Sequence, residues 1–545
     1  MKNLFLAFGL LFVLSCSPEK TAVDLFVKNA VIYTVNADFS SASAMVIADG
    51  KILDVGDYET LHKKYTSDNE YDANGQTIVP GLIDAHAHLY GMGTTLQQVD
   101  LVGAKSYDEV LERVVAFQEE KQMPYIQGRG WDQNLWENKN FPTKEKLDVL
   151  FPDTPVALRR IDGHALLVNS KALELAGITA DTKMDGGEVI VKDGEPTGVL
   201  VDSPMSLVNR TFPETSEEYS VNALLDAQEI CFKHGLTTVD DAGLDRNIIE
   251  LIDRLQQEEK FKLRMYAMVS YSPENLDYYL DKGVYKTDRL NVRSFKIYSD
   301  GALGSRGAAM REPYSDQPGH YGAMITASDS LHYIAKQLAD SEFQMNSHAI
   351  GDSANISVLR VYKEALKGHE NRRWRVEHAQ IVPEEGFDYF DFSNNILPSI
   401  QPTHATSDMY WAEDRVGPNR IKHAYAYKDL LEKSKIVALG TDFPVEFVNP
   451  MYTFYAAVAR QDLEQYPEGG FQMENALSRE EALRGMTIWA AYANFEEDEK
   501  GSLEVGKFAD FTVLDKDIMK VDATEIPTTK AVATFVNGEM VYEAE

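Results

Sequence analysis

Cysteine, positive charge and long apolar runs are all scarce in this sequence. Only 2 cysteines occur among its 545 residues, which excludes a fold held together by a disulfide framework. Its 53 basic side chains face 86 acidic ones, so the formal charge is −33. This balance argues against binding to DNA or RNA, which requires a positive surface. The composition is 44% hydrophobic and 10% aromatic, as in globular proteins with a sizeable core, and it excludes disordered, collagen-like and coiled-coil chains.

The N-terminus carries a short apolar segment over residues 4–14, preceded by Lys2. It is too short to span a bilayer, which takes about 20 residues, and no other run is long enough. A basic residue, a short apolar run and small residues before Cys16 are typical of a bacterial lipoprotein signal peptide over residues 1–16. We therefore expect Cys16 to carry lipid and to tether the chain to the cell envelope, on its periplasmic or surface face, with no other membrane contact. An ordinary signal peptide that contains a cysteine is the alternative. The second cysteine, Cys231, is expected to be an inert buried thiol.

Both ends of the remaining chain have the pattern of β-structure. Hairpin turn signals occur at residues 49–50 (Asp-Gly) and 537–538 (Asn-Gly), each between apolar strand candidates. Neither end is large enough to build a good core alone. Residues 17–78 and 500–545 are therefore expected to pair into one small composite β domain.

Between these ends, apolar strands alternate with helical segments, which favours a parallel sheet with crossover helices. Eight strand candidates occur when residues of about 100–230 are set aside, although residues 156–161 also have the pattern of a strand. Eight is the number that closes a TIM (β/α)8 barrel. The predicted fold is α/β, with the barrel over residues 79–499 and a large insertion after its first strand at about residues 100–230. The eight candidates are residues 78–85, 237–240, 264–269, 294–298, 344–347, 374–377, 396–400 and 436–439.

Side chains that can bind metal lie near the ends of five of these strands, and one of them, Lys296, lies inside its strand. Reacting groups of such barrels come from the C-terminal ends of the strands. His86 and His88 are two residues apart on an extended strand, so both imidazoles point the same way and can meet one metal ion. Taken singly, a histidine, lysine or aspartate at such a position is more often structural, as a core residue, an ion-pair partner or a helix cap. The ordered set indicates a metal site, which comprises His86, His88, Lys296, His348, His378 and Asp442.

With this ligand order, the chain resembles the metal-dependent amidohydrolase superfamily over nearly all of residues 22–545. The stretch GSLEVGKFAD at 501–510 matches the return of the chain into the β domain of that superfamily. Several short motifs of this chain resemble those of one branch of the superfamily. That branch contains N-substituted formamide deformylase and its YtcJ-like relatives. The motifs are GRGWD at 128–132, RIDGHA at 160–165, DGALGSR at 300–306, HAIGD at 348–352 and EHAQ at 377–380.

The resemblance implies a hydrolase of a carbon–nitrogen bond, of the amide, N-acyl or N-formyl amine type. His86, His88 and Asp442 would hold one divalent ion, and His348 and His378 a second, with zinc as the expected metal. A lysine ammonium has no lone pair, so Lys296 would bridge the ions as an N6-carboxylated side chain. Some superfamily members use one ion and an unmodified residue there, and a single ion remains the alternative. Asp442 would accept the proton of a metal-activated water and pass it to the leaving nitrogen.

Residues near the barrel mouth are expected to contact the substrate, a small molecule. His404 follows the seventh strand, where it can touch the substrate or the developing oxyanion, and a loop histidine is the alternative. The insertion is the natural lid over the mouth. Its residues could bind an aryl or carboxylate group, although loop packing explains them equally well. The candidates are Arg129, Trp131, Asp132, Asp162 and His164.

Two other functions fit the same sequence. The metal centre would also serve hydrolysis of an ester or a cyclic amide, or deamination, because nothing among the ligands separates these reactions. A non-catalytic binding lipoprotein that keeps the barrel is the third hypothesis. The complete ligand set counts against it.

Overall fold

The computed structural model describes residues 20–545 except 162, 164, 185–186, 214–215 and 305. Its main element is a parallel sheet of eight strands that follow one another in chain order and curl into a nearly closed barrel. The ring closes where the backbone N–H of Asp442 donates to the carbonyl of His86 at 2.8 Å. The predicted TIM barrel is therefore confirmed. Its strands are Leu82–Ala87, Leu236–Leu244, Arg264–Ser270, Leu290–Tyr298, Gln344–Ala349, Trp374–His378, Ile396–Ile400 and Ala438–Leu439, and Tyr285–Lys286 pairs with the fourth.

The first strand candidate is divided between two sheets. Thr77–Pro80 pairs antiparallel with Phe511–Leu514 in the small β domain, and the barrel strand begins only at Leu82. Gly81 lies at the junction, where an added Cβ would come within 2.2 Å of the Thr237 hydroxyl. A residue without a side chain is required there.

The small β domain contains strands from both chain ends, as predicted. Its six-stranded sheet contains Val31–Tyr33, Ser41–Ala42, Thr77–Pro80, Phe511–Leu514, Ala531–Val536 and Glu539–Glu543. Its four-stranded sheet contains Leu25–Lys28, Ala44–Ala48, Lys51–Gly56 and Glu70–Asp72, and Thr21–Ala22 pairs with Tyr65–Thr66. Arg264 of the barrel donates to the carboxylate of Asp510 at 2.5 and 2.9 Å. This buried ion pair joins the small domain to the barrel.

The insertion after the first barrel strand forms a six-stranded sheet with its own apolar core. Its strands are Val99–Asp100, Ile126–Trp131, Val156–Arg160, Ala165–Val168, Gly187–Lys192 and Glu195–Asp202. The helix Glu217–Lys233 lies inside the bounds predicted for the insertion, but its buried face packs in the core of the barrel. Cys231 lies on that face and is fully buried.

The helices pack mainly around the barrel. In Arg246–Gln257, Ile248, Ile252 and Leu255 form a buried stripe with helical spacing. The α-helices are Tyr58–Lys64, Leu89–Thr95, Tyr107–Lys121, Glu145–Leu150, Ser170–Ala176, Met205–Asn209, Glu217–Lys233, Arg246–Gln257, Pro273–Lys282, Ser328–Ala339, Asp352–Ala365, Pro402–Asp408, Ala412–Arg420, Tyr427–Ser434, Pro450–Ala459, Arg479–Gly485 and Ile488–Ala493. Short 3-10 helices span Gln133–Leu135, Glu384–Phe390, Phe392–Asn394, Ile421–His423, Met473–Asn475 and Ala523–Thr528.

The predicted signal peptide and Cys16 lie outside the described residues. Within the part of the chain that the structure describes, no helix combines the length and the apolar character needed to cross a bilayer.

Candidate metal centre

The first barrel strand ends in two imidazoles that face the centre of the barrel mouth. His86 is fully buried, and its Nδ1 lies 2.5 Å from Oε2 of Glu377 on the sixth strand. A carboxylate at that distance accepts the Nδ1 proton, which leaves the lone pair of Nε2 available to a cation. His88 precedes the next helix, and its Nε2 lies 3.3 Å from Oδ1 of Asp442. Nε2 of His86 lies 3.6 Å from the same oxygen, so the strand brings both imidazoles to one carboxylate.

Asp442 follows the eighth strand and supplies that carboxylate. Its backbone has a φ of 65°, in the left-handed region that few non-glycine residues occupy. Its Oδ2 lies 3.5 Å from Nε2 of His404. Its Oδ1 is buried and has no hydrogen-bond partner among the described residues. Such an orphaned oxygen is costly unless an unseen group, such as a cation, lies beside it.

The fourth and fifth strands supply Lys296 and His348. Lys296 is buried, and its Nζ lies 3.2 Å from Nε2 of His86, so the amine reaches across the barrel to the first strand. Burial lowers the pKa of Lys296 to about 8. The ring centroid of His348 lies 4.6 Å from that of His378. Its Nε2, however, lies 3.6 Å from Oδ1 of Asp300.

His378 ends the sixth strand, and its ring centroid lies 4.8 Å from that of His86. Its Nδ1 lies 2.7 Å from Oε1 of Gln401, so a neighbouring side chain orients this imidazole as Glu377 orients the first. His404 stacks on His378 with the centroids 5.7 Å apart and an interplanar angle of 20°. Nε2 of His404 is buried without a hydrogen-bond partner in the described chain. His404 therefore lies beside the donor cluster, in the first turn of the helix Pro402–Asp408, and its contact with a substrate stays a prediction.

Burial largely determines the charges of this cluster. Burial, assisted by Lys296, lowers the pKa of His86 to about 4 and that of His348 to about 3. Burial also holds the pKa of His378 well below its usual value. Neutral imidazole is the form that binds a metal. Burial alone would raise the pKa of Asp442, but the surrounding imidazoles outweigh it and hold that pKa well below its usual range.

Three of the six predicted ligands form one compact donor group. Donor atoms of His86, His378 and Asp442 all lie within 4.8 Å of one another. Neutral imidazoles and a carboxylate are the ligands that zinc and its neighbours prefer. His88 and Lys296 contact this group directly, and the residues present therefore fit a divalent transition metal.

A comparison with known families decides the identity of this fold. The family model described as "Amidohydrolase family" matches residues 69–542. The chain belongs to this amidohydrolase family. The predicted resemblance is therefore confirmed, and the chain is a metal-dependent hydrolase that acts on carbon–nitrogen bonds.

Similar amidohydrolases match almost the whole chain. "Putative amidohydrolase YtcJ" of Bacillus subtilis is 34% identical over 529 residues, which cover 94% of this chain and 98% of that protein. "N-substituted formamide deformylase" of Arthrobacter pascens is 27% identical over 544 residues, which cover 95% of this chain and 98% of that protein. The crystal structure of an uncharacterized metal-dependent hydrolase from Pyrococcus horikoshii superposes with a TM-score of 0.75 at 28% identity. That superposition covers 92% of this chain and 99% of the other.

A buried charge network beneath the amidohydrolase centre was not among the sequence predictions. Arg375 is fully buried, with Nη1 2.8 Å from Oδ2 of Asp240 and Nε 2.8 Å from Oε1 of Glu377. Glu377 thus connects Arg375 to His86. Burial alone would raise the pKa of Glu377, but Arg375 outweighs it and the pKa falls to about 2. The signal was present in WRVEH at 374–378, where strand alternation places Arg375 and Glu377 on one face.

Two residues predicted to contact the substrate, Trp131 and Asp132, have bonding partners inside the insertion. Trp131 is 0% exposed, and its indole N–H donates to the carbonyl of Leu158 at 2.7 Å. Oδ1 of Asp132 lies 2.6 Å from Nη2 of Arg160. Both side chains therefore have partners inside the insertion.

The remaining insertion candidates have different surroundings. Arg129 is exposed and lines a cleft of about 1310 Å³. Pro444, two residues after the metal-centre aspartate, lines the same cleft, whereas the six predicted metal ligands, all of them described residues, do not. Asp162 and His164 lie outside the described residues.

Proposed function

We propose that this amidohydrolase hydrolyses the carbon–nitrogen bond of a small N-acyl or N-formyl amine and releases an amine and a carboxylic acid. The observation that carries the proposal is the buried Asp442 carboxylate, which lies within 3.6 Å of the imidazoles of His86, His88 and His404. A carboxylate so placed can bind a metal and exchange a proton with reacting groups. The name of one relative, N-substituted formamide deformylase, supports an acylated amine as the substrate class.

The proposed centre holds two divalent ions, and zinc suits this donor set best. When bound, such a metal polarises the substrate carbonyl and lowers the pKa of water to about 7. Lys296 would take part after its neutral amine adds to CO₂ and loses a proton, because the resulting carbamate shares one negative charge between two oxygens, whereas the ammonium has no lone pair. The proposed ligands are His86, His88 and Asp442 for one ion, His348 and His378 for the other, and Lys296 for both.

A single ion is the alternative, and one observation favours it. Nε2 of His348 lies 3.6 Å from Oδ1 of Asp300, whereas the compact donor group consists of His86, His378 and Asp442. The number of metal ions per chain in purified active protein separates these two arrangements.

Asp442 has the central role in proton transfer. As an anion, it accepts a proton from the attacking water and then delivers it to the departing nitrogen, which leaves as a neutral amine. His404, with Nε2 3.5 Å from Oδ2 of Asp442, is placed to hydrogen-bond the substrate oxygen beside that transfer. Arg129 of the insertion is the proposed contact with a substrate carboxylate or aryl group.

The function is tested by incubating purified protein with N-formyl and N-acetyl amines and measuring released amine, with metal content determined on the same sample. We expect release that a chelator abolishes and added zinc restores. Esters, cyclic amides and aminopurines are assayed in parallel, and faster turnover of one of these would change the substrate class. Protein that has neither bound transition metal nor turnover would support a binding protein instead.

We further propose that the chain is a lipoprotein of the bacterial cell envelope, anchored through Cys16. The support is the signal-peptide pattern over residues 1–16. Cys16→Ala is expected to move the protein from the membrane to the soluble fraction, as followed by immunoblotting. Cys231→Ala is the matched control, because this second cysteine is buried in the barrel, and it should remain anchored. Membrane association of Cys16→Ala would contradict the anchor.

A further inference from the structure

Two different walls face each other across the barrel mouth. Asp442 and His404, with Oδ2 and Nε2 3.5 Å apart, follow the eighth and seventh strands. Tyr298 ends the fourth strand, which lies opposite the eighth in the ring of strands. Its side chain is 42% exposed. The side of the mouth that carries Asp442 and His404 can exchange a proton with a substrate. The side that carries Tyr298 is aromatic.

The ring of Tyr298 is held by contacts on its inner side. Nζ of Lys296 lies 4.9 Å from its centroid, and the ring of His348 lies 5.9 Å away. The hydroxyl donates to the carbonyl of Ala242 at 3.4 Å. A Cβ at Gly243 would lie 3.2 Å from the hydroxyl oxygen, so the small residue leaves room for the phenol. The ring therefore lies next to two of the predicted metal ligands.

We propose that Tyr298 is a specificity-determining residue that restricts the acyl half of the substrate to small groups such as formyl or acetyl. This inference rests on the proposed function. The oxygen, nitrogen and acyl substituents of an amide carbon point in three directions within one plane. The oxygen would face the cation that His86, His378 and Asp442 would hold, and the nitrogen must face Asp442 to receive its proton. The acyl substituent then points across the mouth toward Tyr298.

The short distances make this aromatic wall restrictive. Apolar groups are in contact at about 4.0–4.5 Å, and the ring centroid is only 4.9 Å from Nζ of Lys296. Little space therefore separates Tyr298 from the reacting centre. Because the ring itself packs beside Lys296 and His348, a bulky acyl group must displace the ring. The amine half points toward the opposite wall, where this ring sets no limit.

The test uses two substrate series. In one, the amine is always benzylamine and the acyl group is formyl, acetyl or benzoyl. In the other, the acyl group is always formyl and the amine is methylamine, butylamine or benzylamine. Both series are assayed with wild type, Tyr298→Ala, Tyr298→Phe and Tyr333→Ala. Tyr333 is the matched control, because it is exposed on the outer helix Ser328–Ala339.

We expect Tyr298→Ala to raise kcat/KM for benzoyl relative to formyl by roughly 10- to 100-fold, the range that a change of pocket size produces. The ratios within the amine series should stay as in wild type. Tyr298→Phe keeps the ring and should keep the wild-type acyl ratios, as should Tyr333→Ala. Metal content and the circular dichroism spectrum verify folding, and Tyr298→Leu replaces an alanine variant that does not fold.

Unchanged acyl ratios, or a change confined to the amine series, would overturn the inference while leaving the proposed function intact. A wild type that releases no amine would overturn the proposed function. The wall is then tested by calorimetric titration of the metal-loaded wild type and Tyr298→Ala with formate and benzoate. Benzoate binding that strengthens only in Tyr298→Ala supports the wall. Equal benzoate binding in both proteins, or none in either, overturns it.

Discussion

Buried polar side chains occur both at the barrel mouth and in the insertion, but they differ in whether their polar atoms have hydrogen-bond partners. At the mouth, donor atoms of His86, His378 and Asp442 converge within 4.8 Å, and Oδ1 of Asp442 lies near two imidazoles but has no hydrogen-bond partner among the described residues. In the insertion, the Trp131 indole donates to the carbonyl of Leu158 inside the insertion core. Buried polar atoms without hydrogen-bond partners indicate a ligand site where they converge with metal-binding side chains, as they do here, whereas satisfied ones indicate packing. Residue type is therefore a weaker guide to function than whether the polar atoms already have partners.

The largest effect expected at the mouth is that of Asp442→Asn. The amide keeps the shape and a ligand oxygen but cannot accept the proton of the attacking water. Turnover should fall by ~10²–10⁴-fold, the usual contribution of a general acid–base group, while metal content is largely retained. Steady-state kinetics and metal analysis on one preparation measure both quantities.

Asp245→Asn is the matched control for this loss of charge. Asp245 follows the second barrel strand, is exposed, and makes no side-chain capping bond. Near-normal turnover of metal-loaded Asp442→Asn would show that another group moves the proton. His404 would then be the candidate, because its Nε2 lies 3.5 Å from Asp442.

Lys296→Ala is expected to lose most activity, because the amine at 3.2 Å from His86 would no longer be available for carboxylation. A short carboxylic acid in the buffer should restore part of the turnover by supplying the missing oxygens. Lys286→Ala is the control, since that lysine forms a surface ion pair with Glu499 at 2.6 Å. Full activity of Lys296→Ala would eliminate the bridge and favour a single ion.

The sequence predicts the mouth well because its geometry follows from local periodicity. His86 and His88 point the same way on any extended strand, and parallel strands bring their C-terminal ends to one edge of a barrel. The Arg375–Asp240 pair was not predicted, because it joins residues 135 positions apart whose contact depends on strand order. Trp131 illustrates the opposite case. Its motif suggested a substrate contact, and only tertiary packing reveals that its ring and donor are both occupied.

Glu377→Gln tests how much the carboxylate beneath His86 contributes to metal affinity. The carboxylate accepts the Nδ1 proton of His86 at 2.5 Å and is itself paired with Arg375. A neutral amide orients the imidazole less firmly and makes it less basic, so metal affinity should fall by roughly 10–100-fold. Chelator competition measures it. Glu385→Gln, which removes a surface charge paired with Arg311 at 2.6 Å, should leave the affinity unchanged. Wild-type affinity in Glu377→Gln would mean that Gln401 and packing suffice to orient the ligands.

The smallest effect on catalysis is expected in the insertion, from Trp131→Phe. This change removes the hydrogen bond to Leu158 and part of a fully buried ring, so it should lower the free energy of unfolding of the insertion by roughly 1–3 kcal/mol. KM and kcat should stay near wild type, since the side chain has its partners within the insertion. Trp136→Phe is a matched variant, because Trp136 lies in the same core and donates to the carbonyl of Ala104 at 2.9 Å. Thermal unfolding and kinetics of both variants should therefore agree. A KM raised severalfold in Trp131→Phe alone would instead indicate that this tryptophan contacts the substrate. The insertion would then contribute to the site as the mouth does.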